Sequence, residues 1–395
     1  MISTLLDTDM YKFPMGVHAR KIKNNIVEIV FKCRNKVDIT MIRELLEEAI
    51  LKFIDLKFDN EDIDYLNGLT DGKCEFLREF TETPLPIKFS DFKITVDKGE
   101  LNIRVRGPWW SHIYIEVPVL AMVNELYNQV RYTDAERLAF EIEGDRRLSE
   151  KIALLNQYPD MKIMEFGTRR RYSKAWQRHV LSRLINETKN VIGTSNVSLA
   201  KEFGIPAMGT MAHEVFQYYQ GIVHPLDAQS TLLENWADEW GDKYLIALTD
   251  IYPQKKFLKD FNQSLALRYA GVRHDSGDPK QWVREIIQHY KDLGIDPRTK
   301  KAVFSDGLTI PLCIEIYLEF GDQIQCVFGI GTNLTNDMGD DHIVLQIVMK
   351  IVTVDGRAVA KISNNPDKSM CEDSAYVKWL ISAITNELDN WNGGK

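Results

Sequence analysis

The stretch YLIALTDIYPQKKFLKDFNQSLALRYAGVRHDSGD, residues 244–278, decides the fold. It holds two short apolar runs, Tyr244–Leu248 and Leu267–Val272, each stopped abruptly by polar residues and separated by an amphipathic stretch. That pattern is expected of buried parallel strands joined by a helical crossover. The same unit recurs upstream at Ile163–Phe166, Asn190–Ile192 and Ile205–Met208, and downstream at Lys301–Phe304 and Gln325–Phe328. Only the step from Ile192 to Met208 is too short to hold a full helix. Sequential βα units close most naturally into a barrel. The expected fold class is therefore α/β, an irregular (β/α) TIM-like barrel over residues 131–342.

Both flanks read differently. Asn25–Cys33 is a β-branched run, and Glu44–Leu56 puts Leu45, Leu46, Ala49, Ile50 and Phe53 on one helical stripe. Phe92–Val96, the turn residues Asp97, Lys98 and Gly99, and the alternating Leu101, Ile103 and Val105 predict a hairpin. Val119–Asn156 reads as largely helical. Ile343–Lys361 returns to β-like alternation, AKISNNPDKS follows from Ala360, and a helix is expected from about Asp373. A barrel of that size leaves both flanks in need of a partner surface. Residues 1–130 with 343–395 are accordingly expected to form one α+β domain, built from the N-terminal segment and the C-terminal tail.

The chain has 395 residues and a formal net charge of −8, from 49 Lys plus Arg against 57 Asp plus Glu. An acidic chain argues against a broad nucleic-acid footprint, and any small anionic ligand needs cations gathered locally. Five widely spaced cysteines, with no CxxC pair, read as reduced buried thiols rather than a zinc site. No basic leader with an apolar stretch opens the chain, and no long uncharged apolar run occurs in it. The expectation is a cytoplasmic protein with no membrane and no nucleic-acid partner.

The residues that end parallel strands gather at the C-terminal rim of the sheet, where barrel enzymes place their chemistry. Here they are GTRRR (Gly167–Arg171), GTSN (Gly193–Asn196), GTMAHE (Gly209–Glu214), Thr249 with Asp250, RHDSGD (Arg273–Asp278), SDG (Ser305–Gly307) and GIGT (Gly329–Thr332). GIGT offers backbone N–H groups and a hydroxyl to a phosphate, although such a motif alone more often marks a tight βα turn. RHDSGD packs one cation and two carboxylates around a hydroxyl, suited to sugar hydroxyls or to Mg²⁺ beside a diphosphate. Asp278 in it is also a good N-cap for a helix that starts at Pro279. Three successive arginines are usually a solvated patch, but directly after a strand one of them, Arg169 first, is a candidate anion contact. His213 with Glu214 beside it is a candidate proton carrier or nucleophile. The other histidines, His274 included, lack comparable surroundings. No nucleophile elbow, HExxH helix or P-loop is present.

Taken together and in order, LLDTDMYK, FGTRRR, GTSN, GTMAHE, LTDIY, RHDSGDP, VFSDGL and FGIGTNLTND, from Leu5 to Asp337, resemble the nicotinate phosphoribosyltransferase family. The resemblance implies transfer of phosphoribose from phosphoribosyl diphosphate to nicotinate, coupled to ATP hydrolysis, at the entry to NAD salvage. It implies Mg²⁺, ATP as co-substrate and a homodimer with shared sites. By the same resemblance Tyr11, supplied by a neighbouring subunit, and Phe166 stack on the pyridine ring. Arg273, Thr210 and Arg169 meet the nicotinate carboxylate, and Asp275 holds the ribose hydroxyls. Gly307, Gly329, Gly331 and Thr332 hold the 5′-phosphate and Lys361 contacts phosphates, with Ser276 and Asp306 among the substrate contacts. His213 is the residue that ATP phosphorylates, and Asp250 with Asp275 are the metal candidates. Nicotinamide phosphoribosyltransferases are similar but carry an acidic residue beside the base, where this chain has the neutral Ser195. The alternatives are that nicotinamide enzyme, a non-catalytic ligand sensor and a quinolinate phosphoribosyltransferase.

Overall fold

The computed structural model describes residues 1–22, 25–362 and 371–392. Strands β1 (Ile26–Cys33), β2 (Phe92–Asp97) and β3 (Glu100–Pro108) come from the N-terminal third. Their inward positions, Val27, Ile29 and Phe31 against Leu101, Ile103 and Val105, are buried, which fixes the register. The parallel strands follow: β4 (Lys162–Glu165), β5 (Val191–Thr194), β6 (Ile246–Leu248), β7 (Gly271–His274), β8 (Lys301–Phe304) and β9 (Gln325–Ile330). The tail adds β10 (Ile347–Val354) and β11 (Arg357–Ala358). The antiparallel sheet has the order β11-β10-β1-β3-β2, with Ile29 opposite Ile351 and Phe31 opposite Met349. Strands from the two ends of the chain thus share one sheet.

The second sheet is wholly parallel, in the order β5-β4-β9-β8-β7-β6. It contains six of the seven apolar runs. The seventh, Ile205–Met208, is not a strand: Ala207 makes a single parallel bridge to Thr194. Pro206 explains the difference, because it has no N–H to extend the ladder. Its carbonyl still accepts from Thr194 N at 3.2 Å, and Met208 N donates to Thr194 O at 2.7 Å. Thr210 Oγ1 then donates to Ile246 O at 3.2 Å, so residues 206–210 span the two sheet edges, β5 and β6. The sheet is curled accordingly. Ile192 from β5, Met208, and Ile246 from β6 all pack on one small cluster of Met164, Val303 and Val327, separate from the main core.

The expected helical region Val119–Asn156 is two helices, Glu116–Arg131 and Asp134–Leu155. The break is a capping box, in which Thr133 and Glu136 satisfy each other's backbone N–H groups. On the helix Arg43–Ile54 the apolar stripe is narrower than its pattern suggests, since Leu45 is 42% exposed. Asp278 is the N-cap of Pro279–Asp292, accepting from Lys280 N and Gln281 N. The SNNPDKS portion of the tail lies outside the described residues, and the last helix is Ser374–Asn392.

Two core histidines give the fold an acid sensitivity. His18 shares a 2.8 Å hydrogen bond with Tyr219 OH and packs on Trp236; His342 lies among Tyr132, Phe140 and Tyr172. Burial pushes each imidazole down to about 4, from an ordinary value of 6.5. Below pH 6.5 the unfolded chain takes up protons that the folded chain refuses, so stability falls from pH 6.5 towards pH 4. Each histidine contributes a slope of about 1.4 kcal/mol per pH unit within that window. Urea titrations at pH 7, 6 and 5 are expected to show the decline, flattened in a His18→Gln/His342→Gln chain. Equal slopes in both chains would contradict this assignment.

Candidate active site

The parallel register places Leu248 beside Arg273, so the residues that follow β6 and β7 emerge side by side. Thr249 Oγ1 donates to Arg273 O at 3.0 Å and accepts from Trp282 Nε1 at 3.0 Å, which pins this part of the rim. His213 opens the helix His213–Ile222 and turns into the same space. Its Nε2 lies 2.6 Å from Asp250 Oδ1, and its Nδ1 lies 3.6 Å from Asp275 Oδ2. Asp250 Oδ2 accepts from Ser276 Oγ at 2.7 Å and from Lys361 Nζ at 2.5 Å. Asp275 Oδ1 accepts from Ser305 Oγ at 2.8 Å, and Arg273 is held by a 2.9 Å bond from its guanidinium to Met211 O. Lys361 arrives because the tail, after β11, runs back along the rim, with Ile362 N donating to Ile251 O.

Burial lowers the His213 pKa to about 4, against the pull of Asp250 and Asp275. Burial also works against the Asp250 carboxylate, yet His213 and Lys361 hold it well below the ordinary carboxylate range. At neutral pH the pair is therefore an imidazole donating Nε2–H to a carboxylate. That fixes the tautomer and leaves the Nδ1 lone pair free for chemistry.

Opposite lies the N-terminal segment, threaded across the strand ends. Met10 N donates to Ser195 O, Val197 N to Thr8 O, and Asp9 bridges Asn196. Tyr11 is buried in this segment, two residues beyond Asp9, whose carboxylate stands 3.7 Å from Arg169. Arg169 is 40% exposed in its recess, and among the described residues its ion pairs are long, 3.7 Å each, to Asp9 and Glu116. Lys350, projecting from β10, also stands 3.7 Å from Glu116. Burial, then repulsion from Arg169 and Lys361 against the pull of Glu116, lowers its pKa to about 8. Two loosely held cations in one recess are prepared for an anion. Arg171 plays another part: it is fully buried, with paired bonds to Asp7 at 2.6 and 3.0 Å. Of the arginine triplet, Arg169 faces the recess and Arg171 anchors the N-terminal segment.

The third side of the rim is built by β8 and β9. Gly307 has φ +59, a left-handed turn that leaves the backbone after Ser305 and Asp306 open. A Cβ on Gly329 would meet the Phe166 ring at 2.6 Å, so this glycine lets the ring lie against β9. Gly331 caps the short turn that Thr332 begins.

Several expectations change in detail. The Thr210 hydroxyl is spent on Ile246 O, which makes it a tie across the sheet edges. Ser195 is not an isolated neutral neighbour, because its hydroxyl donates to the buried Asp9 carboxylate at 2.7 Å. Discrimination against an amide therefore cannot rest on Ser195 alone. His213, Asp250 and Asp275 offer ligand atoms within 4.8 Å of one another. Both Asp250 oxygens are already engaged, one of them by an ammonium; one Asp275 oxygen accepts from Ser305 Oγ and the other faces His213 Nδ1 at 3.6 Å. An oxygen already bonded to an ammonium is a poor ligand for a hard, oxygen-seeking cation such as Mg²⁺, which counts against Asp250 as a metal ligand. Lys350, Glu116, Lys12 and Asp9 went unnoticed in the sequence. The available signal was a charged residue inside an apolar run, as in IVMKIV at 347–352.

Among the described residues no helix is long and apolar enough to cross a membrane. Comparison with known proteins is consistent along the whole length. The profile of the nicotinate phosphoribosyltransferase (NAPRTase) family matches residues 161–387, and that of its N-terminal domain matches residues 6–124. The chain is 41% identical to a nicotinate phosphoribosyltransferase of Burkholderia mallei, covering 99% of each protein. It is 40% identical to one of Chromobacterium violaceum, covering 96% of each. The crystal structure of a nicotinate phosphoribosyltransferase from Vibrio cholerae superposes with a TM-score of 0.90 at 34% identity, covering 99% of this chain and 97% of that one. One from Porphyromonas gingivalis gives 0.89 at 28% identity, covering 98% and 100%.

Proposed function

The chain belongs to the nicotinate phosphoribosyltransferase family, and from that premise we propose that it drives phosphoribosyl transfer to nicotinate with ATP through His213. The reaction joins the pyridine nitrogen of nicotinate to C1′ of phosphoribosyl diphosphate and breaks the C1′–O bond to diphosphate. Nicotinate mononucleotide and diphosphate are the products, at the entry to NAD salvage. Positive charge develops at C1′ as the leaving group departs, so catalysis calls for positioning and a nearby carboxylate rather than a nucleophile on the sugar. Asp275 supplies that carboxylate and accepts from the ribose hydroxyls. Tyr11 and Phe166 hold the ring, Arg169 and Lys350 receive the nicotinate carboxylate with Arg273, and the backbone at Gly307, Gly329 and Gly331 with Thr332 receives the 5′-phosphate. Mg²⁺ at Asp275, when bound, supplies charge neutralisation for the diphosphate.

The observation that carries the ATP step is the His213 pair. Asp250 accepts the hydrogen bond from Nε2–H, Nδ1 is left as the nucleophilic nitrogen, and His213 sits at a helix N-terminus, a favourable place for a phosphoryl group. Nδ1 attacks the γ-phosphorus, the P–O bond to ADP breaks, and water later cleaves the P–N bond to release phosphate. Lys361, bonded to Asp250, is placed to meet the transferred phosphoryl charge. Replacing His213 with Ala is expected to abolish ³²P labelling by γ-labelled ATP and ATP stimulation, leaving slow uncoupled transfer. Unchanged stimulation would contradict the proposal.

Selectivity for the acid over nicotinamide follows from Arg169 and Lys350, since an amide gains little from two loosely held cations. A homodimer with shared sites completes the reading. Five free cysteines suit a reducing, cytoplasmic setting.

A further inference from the structure

Lys12 is an ammonium with no exposed side-chain surface. Its Nζ donates to Glu116 Oε2 at 2.7 Å and also to Glu214 Oε2. The other Glu214 oxygen accepts from Trp109 Nε1 at 2.9 Å, and Trp109 stacks on Tyr218 with ring centroids 3.9 Å apart. The other Glu116 oxygen stands 3.7 Å from both Arg169 and Lys350. Burying three charged groups is costly, and a site that needed only packing would be filled more stably by apolar side chains. The network's ends are what the function uses. Glu214 directly follows His213 at the helix start, Lys12 directly follows Tyr11, and Glu116 is the surface on which Arg169 and Lys350 rest.

We propose that Lys12 is a positioning residue that couples the state of His213 to the nicotinate-binding side chains through Glu214 and Glu116. The proposal rests on the ATP-coupled reading above. Negative charge gained at His213 changes how Lys12 is shared between the two carboxylates. Glu116 then shifts, and with it the placement of Arg169, Lys350 and the Tyr11 backbone. The linkage is reciprocal, so bound nicotinate alters phosphorylation of His213 by the same factor.

The test is Lys12→Met in the full chain, with KM for nicotinate measured with and without ATP and ³²P labelling followed in parallel. Wild-type enzyme is expected to label and to show a lower KM with ATP; the variant is expected to label while the ratio of the two KM values collapses towards one. Couplings of this kind are typically about 5–150-fold, so the loss is measurable. A merely structural role would raise both KM values together and leave their ratio intact, which would overturn the proposal. Should Lys12→Met not fold, Glu214→Gln removes one charged arm while keeping the Lys12–Glu116 pair, and the same fall in the ratio is expected. Wild-type enzyme that takes no label from ATP overturns the ATP reading itself and this proposal with it. Label without a change of ratio in either variant overturns the proposal alone.

Discussion

Asp275→Asn is expected to lower kcat by about 10²–10³-fold, the usual effect of removing one preorganised electrostatic group from a reacting centre. The substitution keeps the size of the side chain and its acceptance from Ser305 Oγ, so the fold is retained and the loss reports charge. Burial alone would push the Asp275 pKa up, but Arg273 and His213 hold it below the ordinary carboxylate value. The carboxylate is therefore ionised at neutral pH, and in the proposed reaction it meets the positive charge that develops at C1′. The KM for nicotinate should change far less than kcat, because the proposed function puts the base on the Tyr11 and Arg169 side of the rim. Steady-state kinetics decide it: a kcat within about threefold of wild type would remove Asp275 from the reacting centre, since each tenfold is ~1.4 kcal/mol of barrier.

Arg171→Met is expected to destabilise the protein by about 3–5 kcal/mol, the usual cost of orphaning one member of a buried ion pair. The guanidinium is fully buried against Asp7 with Gln177 as a further acceptor, and Asn196 Nδ2 also donates to Asp7 at 2.8 Å. Removing Arg171 leaves the Asp7 carboxylate with Asn196 and the peripheral Lys174. Denaturant unfolding reads the effect, and Arg171→Met with Asp7→Asn should recover part of it, since the stranded charge is then gone. The loss should reach function too. Asp7 anchors the segment that carries Asp9, Tyr11 and Lys12 across the rim, so KM for nicotinate should rise in the single variant. Stability within about 1 kcal/mol of wild type would show that Asp7 finds its compensation elsewhere.

What was legible in the sequence was local. Six apolar runs could be read as strands because each contains a continuous hydrophobic stretch and a polar stop, and Asp278 with Pro279 announces a helix by capping chemistry alone. The seventh run shows where pattern fails: Ile205–Met208 is apolar enough, but Pro206 lacks the donor that a ladder needs. The rim motifs that hold His213, Asp250, Arg273 and Asp275 were visible because a parallel sheet delivers its strand ends to one face. The N-terminal thread was not visible. Asp7 and Arg171 are 164 residues apart, and no local signal pairs them. Lys350 and Glu116 stood in plain view as charges within apolar runs, IVMKIV and IEVPVL, yet their partners are known only once β10 lies beside β1 and the helix from Glu116 packs against the rim. Ser195 has the same limit: its neutral side chain is legible at one position, while the carboxylate that it meets, Asp9, comes from the N-terminal thread.

The most direct measurement is the product formed from phosphoribosyl diphosphate with nicotinate or with nicotinamide, each with and without ATP, resolved by chromatography and mass. The account predicts nicotinate mononucleotide, formed faster and at lower nicotinate concentration when ATP is present, with nicotinamide a poor substrate in both conditions. Nicotinamide mononucleotide formed as fast as the acid product would contradict it.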